Sequence, residues 1–230
     1  MAPSSNEHQH ALTVFERMGQ DSGLYTIRVL GKEVPVLPGV FSPKYFSDVK
    51  WFAKEVPKIV RKRSFLEIGT GTGIIALFTA LHGAGKIVAT DINRAAVHNA
   101  RKTFHLHKLK ISVRHGDMFQ SIQANEKFDV IFWNHPFHYS RKKLKSSLLQ
   151  GGFDYRYESL RAFFAGAKEH LTENGEVLLG TSKNARLDLI KKFGGLYGYR
   201  CILLKQESIP SERRKGVTMD VRIYSFRPKQ

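Results

Sequence analysis

Glycines recur at every second position in residues 69–73, and this is the first stretch whose residue types could do chemistry. It lies between the short apolar run 65–68 and the longer run 74–81, so it occupies the turn between a predicted strand and a predicted helix. Glycine allows a sharp turn and a close approach of a ligand to the backbone. The dinucleotide pattern G-x-G-x-x-G needs a glycine where this chain has Ile74, so the spacing favours a smaller nucleoside.

Two carboxylates follow the next two predicted strands and indicate the nature of that nucleoside. Asp91 ends the second strand, where a carboxylate can accept hydrogen bonds from both hydroxyls of a ribose. Asp117 follows the third strand, where it can accept a hydrogen bond from an adenine amino group or can simply cap a loop. Ile92 and Met118 adjoin these acids and are assigned to the same site. The sequence therefore predicts an adenosine-like cofactor.

The stretch Asn134-His135-Pro136-Phe137 follows the fourth predicted strand and offers two hydrogen-bond acceptors side by side. Asn134 has a side-chain carbonyl, and His135 has a main-chain carbonyl that Pro136 biases towards an extended orientation. If both accept N–H bonds from one planar amino or amide nitrogen, the lone pair of that nitrogen becomes more available for attack. Phe137 can stack on the planar group that carries the nitrogen. An Asn-x-Pro turn alone is common, and its combination with the glycines and Asp91 is what points to a site.

Histidines supply candidate proton acceptors. His135 and His138 could take the proton that an attacking nitrogen loses, although a spacer in the motif and a polar loop residue are the simpler interpretations. His98, His105 and His107 fall near one predicted helix without a carboxylate or cysteine at matching positions, so we expect no metal site.

The apolar runs alternate between strand-like and helix-like lengths, which is typical of an α/β sheet. Strands are predicted at 65–68, 86–90, 110–114, 128–133, 175–180, 199–205 and 217–226, and helices at 74–81, 94–106, 159–171 and 185–193. The last two strands have no helix between them and should pair antiparallel. We therefore predict a seven-stranded, mostly parallel sheet with an antiparallel last strand and helices on both faces.

Residues 1–63 differ in character from the rest of the chain. Residues 34–43 are rich in proline and indicate an extended segment or a loop, and residues 49–60 could form a helix interrupted near Pro57. We expect residues 1–63 to cover the core without forming an independent domain, and residues 64–230 to form the domain that carries the motifs.

The chain is strongly basic, with 37 Lys and Arg against 20 Asp and Glu and a formal net charge of +17. Such a surface attracts polyanions such as nucleic acid, or simply keeps the protein in solution. Basic clusters occur at 58–63, 141–145 and 213–215, and the second begins four residues after Phe137.

The single cysteine, Cys201, excludes an internal disulfide and fits a cytoplasmic location. No apolar run is long enough for a membrane span, and no secretory leader is expected.

Residues 41–226 resemble class I S-adenosylmethionine-dependent methyltransferases. Residues 67–73 are similar to the glycine-rich motif I of that family, and Asp91 is similar to its ribose-binding acid. Asn134-His135-Pro136-Phe137 resembles the N-P-P-[YF] motif of members that methylate planar nitrogens. His135 departs from it, because the family usually has proline there, but the second position acts through its main-chain carbonyl. The resemblance implies a Rossmann-like sheet and S-adenosyl-L-methionine as cofactor.

Two groups within that family share further stretches with this chain. The segment L-P-G-V-F-S at 37–42 is similar to one in small ribosomal-RNA guanine-N2 methyltransferases, and His138 extends the motif as their N-P-P-F-H does. The segment G-G-F-D at 151–154 is instead similar to one in release-factor glutamine methyltransferases. The choice between an RNA and a protein acceptor stays open at this point.

We expect an N-methyltransferase whose acceptor is an exocyclic base amine of RNA, with a protein glutamine or a small-molecule amine as the alternative acceptor. A catalytically silent RNA-binding or subunit scaffold is the alternative from another class, for which His135 is the one argument. The glycine spacing disfavours an NAD-dependent oxidoreductase. The residues expected to act on the acceptor are Asn134, His135, Pro136 and Phe137, and those expected to bind the cofactor are Glu67, Gly69, Thr70, Gly71, Gly73, Asp91, Ile92, Asp117, Met118 and Asn134.

Overall fold

The computed structural model describes residues 5–211 and 216–229, so the basic cluster 213–215 lies outside the described residues. The elements within these ranges are, in chain order, α1 Ser5–Gly19, β1 Tyr25–Val29, β2 Lys32–Val36, α2 Ser47–Val60, β3 Phe65–Ile68, α3 Ile74–Leu81, β4 Ile87–Asp91, α4 Arg94–Leu106, β5 Ser112–His115, β6 Phe128–Asn134, β7 His138–Ser140, α5 Ser147–Gln150, β8 Phe153–Tyr155, α6 Glu158–Ala167, β9 Leu171–Ser182, α7 Leu187–Leu196, β10 Tyr199–Pro210 and β11 Thr218–Pro228.

The central sheet has the strand order β10-β11-β9-β6-β3-β4-β5. Strands β3, β4, β5, β6 and β9 are parallel, whereas β11 is antiparallel to both of its neighbours. The predicted seven-stranded sheet with its antiparallel last strand is thereby confirmed. Because β3, β4 and β6 are parallel neighbours, their carboxyl ends at Ile68, Asp91 and Asn134 meet at one edge of the sheet.

Side chains of the sheet alternate between two apolar clusters, one on each face. In β3, Phe65 belongs to the cluster that includes residues of α1 to α4, and Leu66 belongs to the cluster that includes residues of α6 and α7. In β6, Phe132 and Ile131 divide in the same way. Helices therefore cover both faces, as predicted, and Glu67 shares the face of α2 to α4 with Phe65.

Several of the predicted boundaries are wrong, and strand pairing explains why. The helix predicted at 159–171 ends at Ala167, and a 3-10 turn, Lys168–His170, leads into β9. That strand begins at Leu171 instead of 175, because Leu171 pairs with Phe128 of β6 before a register shift. Likewise β10 and β11 are longer than predicted, because each pairs with the other along its whole length.

The region before β3 holds elements that the sequence patterns did not predict. Helix α1 and the antiparallel hairpin β1–β2 are both present, and only residues 37–42 of the proline-rich segment form a loop before a 3-10 turn. Helix α2 is continuous, not interrupted. Pro57 lies in its last turn, where the missing N–H removes a single hydrogen bond. Val56 and Val60, on either side of Pro57, are fully buried, and their packing stabilises this last turn. The division of the chain at residue 63 stays a prediction.

Candidate active site

A cavity of about 230 Å³ opens at the carboxyl ends of β3, β4 and β6. This is the position at which α/β sheets usually bind ligands. The cavity brings together nearly all the residues that the sequence predicted to act there. Those that line it are Glu67, Gly69, Thr70, Gly71, Asp91, Ile92, Asp117, Met118, Asn134, His135, Pro136, Phe137 and His138.

Gly73 is the predicted site residue that does not line the cavity. It begins α3 with a φ of 82°, in the left-handed region that favours glycine. A Cβ at this position would lie 2.9 Å from the ring of Phe104 and 3.1 Å from Cα of Ala100, both in α4. Close packing of α3 on α4 therefore accounts for this glycine.

A buried carboxyl group holds the glycine-rich turn on the start of α3. Oε2 of Glu67 accepts hydrogen bonds from the Thr70 hydroxyl (2.7 Å) and from the N–H of Ala76 (3.2 Å). Burial raises the pKa of Glu67 to about 8, against the effect of those two bonds. The turn is therefore fixed by a side chain from within the motif itself.

Asp91 is held at the cavity wall by the backbone on either side of it. Its Oδ2 accepts the N–H of Gly71 (2.8 Å) and its Oδ1 accepts the N–H of Asn93 (2.8 Å). The residue is 8% exposed, and burial raises its pKa. Each carboxylate oxygen can accept more than one hydrogen bond, so both can also face the two hydroxyls of a ribose.

Asn134 ends β6 with its amide group between two different environments. Its Nδ2 lies 3.4 Å from Oδ2 of Asp48, a residue of α2 that is 2% exposed and also lines the cavity. A carboxylate accepts hydrogen bonds and cannot donate them when ionised, so it orients the NH₂ towards itself. Oδ1 of Asn134 is buried and has no hydrogen-bond partner among the described residues. The site thus contains an acceptor that lacks a donor.

Gly180 keeps the space beside that acceptor open. It pairs with Asn134 in the β6–β9 ladder. A Cβ at position 180 would lie 3.2 Å from Oδ1 of Asn134 and 3.0 Å from the ring of Phe52. A larger residue would therefore displace the amide or the aromatic ring behind it.

The ring of His135 faces the protein interior, where its Nε2 is hydrogen-bonded to Oγ1 of Thr181 at 3.0 Å. Burial lowers the pKa of His135 to about 3, so the ring is neutral at physiological pH and is poorly suited to accept a proton. His138, the other candidate base, lines the cavity and stacks on Phe153 with ring centroids 4.8 Å apart. Of the two candidates, His138 is the one that lines the cavity without a hydrogen bond to Thr181.

Three residues around the motif were not singled out from the sequence. Asp48 orients Asn134, Thr181 binds His135, and the hydroxyl of Tyr157 donates to the main-chain carbonyl of Phe137 at 2.8 Å. A sequence signal existed only for Asp48, which shares one side of an amphipathic helix with Phe52. Thr181 lies in β9 and Tyr157 directly precedes α6. Residue spacing in the sequence does not show that these two elements contact the motif.

The two described basic clusters lie at opposite ends of the parallel strands. Residues 141–145 lie between β7 and α5, and Ser147 and Leu148 of α5 line the cavity. Their four cations are exposed, and none is ion-paired with an acidic side chain in the described part of the chain. Residues 58–63 instead precede the amino end of β3, where Lys58 pairs with Glu55 and Arg63 pairs with Glu176, both at 2.8 Å.

The described residues hold neither a metal site nor a membrane-spanning helix. Within residues 5–211 and 216–229, no three His, Cys, Asp or Glu side chains are grouped so that they could hold a metal ion. In the same ranges, no helix is both long and apolar enough to cross a bilayer.

A model of the methyltransferase small domain family matches residues 32–197. The chain belongs to this family and is a methyltransferase. The match confirms the resemblance that rested on the glycine-rich motif, Asp91 and the stretch from Asn134 to Phe137, and with it the expected use of S-adenosylmethionine.

Three known proteins illustrate the relationship. A candidate protein N5-glutamine methyltransferase of Methanocaldococcus jannaschii is 34% identical over 192 residues, which cover 81% of this chain and 94% of that protein. The ribosomal RNA small subunit methyltransferase C of Mannheimia succiniciproducens is 30% identical over 142 residues, or 61% of this chain and 38% of that protein. A Thermus thermophilus 16S rRNA N2 methyltransferase, solved with AdoMet and guanosine, shares the fold with a TM-score of 0.62 at 22% identity, over 90% of this chain and 50% of that one.

Proposed function

We propose that this chain transfers the methyl group of S-adenosylmethionine to an exocyclic amino nitrogen of a base in RNA. The observation that most strongly supports methyl transfer to a planar nitrogen is the acceptor at the end of β6. Oδ1 of Asn134 is buried and lacks a donor among the described residues, and His135 and Asp91 line the same cavity. A buried acceptor without a donor is costly, and a substrate amino group would supply the missing N–H.

The residues of the glycine-rich turn and Asp91 suit the nucleoside part of the cofactor. The carboxylate of Asp91 is already fixed by two backbone N–H groups, so it can accept ribose hydroxyls without reorganising. When bound, the cofactor supplies an electrophilic methyl group on its sulfonium. We assign to its site Glu67, Gly69, Thr70, Gly71, Asp91, Ile92, Asp117 and Met118. Asn134, which the sequence placed in both groups, is assigned to the acceptor, and Gly73 to the packing beneath the cofactor.

Asn134 and His135 orient the nitrogen that accepts the methyl group. The side-chain carbonyl of Asn134 and the main-chain carbonyl of His135 each accept one N–H, which directs the nitrogen lone pair out of the plane of the base. Pro136 keeps His135 extended, and Phe137 stacks on the base. Positioning of this kind supplies most of the acceleration in a direct displacement. The nitrogen then loses one proton to water or to His138.

Charge at the mouth of the cavity favours RNA as the source of that nitrogen. The cluster 141–145 precedes α5, which lines the cavity, and its cations are available for phosphate groups. A base must leave its stack to reach the cofactor, and basic side chains beside the cavity would hold the backbone on either side of it.

A protein glutamine amide is the second candidate acceptor. It is favoured by the archaeal relative, which matches 81% of this chain and whose name assigns it to glutamine methylation. The same pair of carbonyls suits an amide nitrogen, so the acceptor geometry does not separate the two substrates. A catalytically silent scaffold is less well supported, because the predicted catalytic and cofactor residues, apart from Gly73, all line one cavity.

Labelled methyl transfer distinguishes these substrates. The protein is incubated with radiolabelled S-adenosylmethionine and with separate RNA and protein fractions from cells that lack it, and the modified nucleoside or amino acid is identified after digestion. We expect label that ribonuclease releases and protease does not, in a methylated amino group of guanosine or adenosine. Label in glutamine would support the second candidate, and no transfer to either fraction would contradict the proposal.

A further inference from the structure

The second position of the acceptor motif has an unusual surrounding. His135 is 2% exposed and directly follows the last residue of β6, where the backbone ladder with β9 ends at the pair Asn134 and Gly180. Its Nε2 is hydrogen-bonded to the hydroxyl of Thr181, the residue that follows Gly180. The side-chain bond therefore continues the β6–β9 connection one residue beyond the last backbone pair.

Aromatic rings fix the imidazole on its other sides. The ring centroid of His135 lies 5.8 Å from that of Trp133, 5.7 Å from that of Phe137 and 5.9 Å from that of Tyr157, each in an edge-to-face arrangement. The hydroxyl of Tyr157 also binds the carbonyl of Phe137, two residues further along the motif. The imidazole is thus enclosed by three aromatic rings.

The main-chain carbonyl of residue 135 must keep one direction if it is to accept an N–H from the substrate. A proline at this position would restrict its own φ through the pyrrolidine ring, whereas a histidine has no such restriction. Pro136 restricts His135 only to the broad extended region. A side-chain anchor at residue 135 would remove much of the remaining freedom.

We propose that the hydrogen bond between His135 and Thr181 is the anchor that fixes the acceptor carbonyl of residue 135, in place of the proline ring usual in N-P-P-[YF] motifs. This inference rests on the proposed function of the Asn134 and His135 carbonyls. His135 is then a positioning residue through its side chain and contacts substrate only through its backbone. It does not carry a proton during the reaction.

A double-mutant cycle tests the anchor. Thr181→Val removes the hydroxyl at nearly constant volume, and we expect it to lower kcat by about ten- to a hundredfold with the affinity for S-adenosylmethionine unchanged. In a His135→Pro background the same substitution should have no further effect, because the ring then restricts the backbone. Thr181→Ser should restore most of the lost rate. Equal losses in both backgrounds, or no loss in either, would overturn the anchor.

Thr79→Val is the matched control. Thr79 is fully buried in α3, and its hydroxyl has no hydrogen-bond partner among the described residues. This substitution changes the same atoms away from the motif, so kcat should stay within about twofold of the wild-type value. A loss of kcat as large as that of Thr181→Val would show that removing any buried threonine hydroxyl lowers the rate through general stability, and it would overturn the anchor.

Histidine NMR separates failure of the anchor from failure of the proposed function, and does not depend on whether His135→Pro folds. In the wild-type protein the His135 ring should stay neutral from pH 8 down to pH 5, and Thr181→Val should shift its ring nitrogen signal. The proposed anchor is wrong if the His135 ring becomes protonated near pH 6.5, or if its ring nitrogen signal does not shift in Thr181→Val. Either result counts even if no substrate is found. Normal NMR behaviour without any methyl transfer would contradict the function and leave the anchor as a feature of the fold.

Discussion

The two halves of the cavity are built in different ways. The cofactor half is fixed by contacts within its own motifs, such as Thr70 to Glu67, three residues apart, and Asp91 to Asn93, two residues apart. The acceptor half depends on distant parts of the chain. Asn134 contacts Asp48 across 86 residues, and His135 contacts Thr181 across 46 residues.

This difference indicates that the two functions of the site can be separated by mutation. A change at Gly71 or Asp91 should affect cofactor binding without moving the acceptor loop, since the hydrogen bonds from the N–H groups of Gly71 and Asn93 to Asp91 lie within the cofactor half. A change in α2 or β9 should affect the acceptor without weakening the cofactor. A single substitution that abolishes both cofactor binding and acceptor binding would show that the two halves of the cavity are coupled.

The largest effect on cofactor affinity is expected for Asp91→Ala. The variant loses a carboxylate that would accept the ribose hydroxyls and that also fixes the N–H of Gly71. Hydrogen bonds to a charged group contribute about 1.5–3 kcal/mol each, so the affinity for S-adenosylmethionine should fall by at least about tenfold in isothermal titration. Asp188→Ala, at an exposed ion pair in α7, should leave that affinity unchanged. Retained binding in Asp91→Ala would remove this residue from the cofactor site.

A smaller effect on the RNA side is expected from the basic clusters. Replacing Arg141, Lys142, Lys143 and Lys145 by glutamine should raise KM for RNA several-fold and flatten its dependence on salt, because fewer counterions are then released. Replacing Lys58, Arg61 and Lys62 by glutamine, near the amino ends of the parallel strands, should change KM for RNA little. Equal effects of the two variants would mean that net charge, not its location, governs RNA binding.

The smallest effect concerns stability and pH. Burial raises the pKa of Glu67 from 4.5 to about 8, so the folded state holds a proton that the unfolded state releases. The stabilising effect of that proton is complete below pH 4.5 and is lost as the pH rises through about 8. Glu67→Gln cannot ionise, so its Tm should exceed that of the wild type more at pH 8.5 than at pH 5. An equal difference at both pH values would show that Glu67 is already ionised at neutral pH.

Local patterns were sufficient for the cofactor half. Residues 67–73 and Asp91 are adjacent to the strands that carry them, so the sequence predicted both their elements and their meeting point. Gly73 shows the limit of this reasoning, because the same spacing that indicates a ligand also arises from packing on Phe104.

The supports of the acceptor half could not be predicted in the same way. The stretch from Asn134 to Phe137 predicted the acceptors, and that part stays a prediction. The inward direction of the His135 ring depends on Thr181 and Tyr157, and neither belongs to a recognisable pattern. The N-terminal region was underestimated for a related reason: apolar residues of α1 recur at helical spacing from Ala11 to Met18, yet polar residues between them hide the pattern.

The role of the Asn134 carbonyl in positioning the methylated nitrogen is tested by measuring methyl transfer by Asn134→Ala together with its cofactor affinity. We expect S-adenosylmethionine to bind within about threefold of the wild-type affinity, whereas transfer falls by at least about a hundredfold. Transfer at the wild-type rate would show that the Asn134 carbonyl does not position the nitrogen. Loss of cofactor binding together with transfer would show that the two halves of the cavity are not separate.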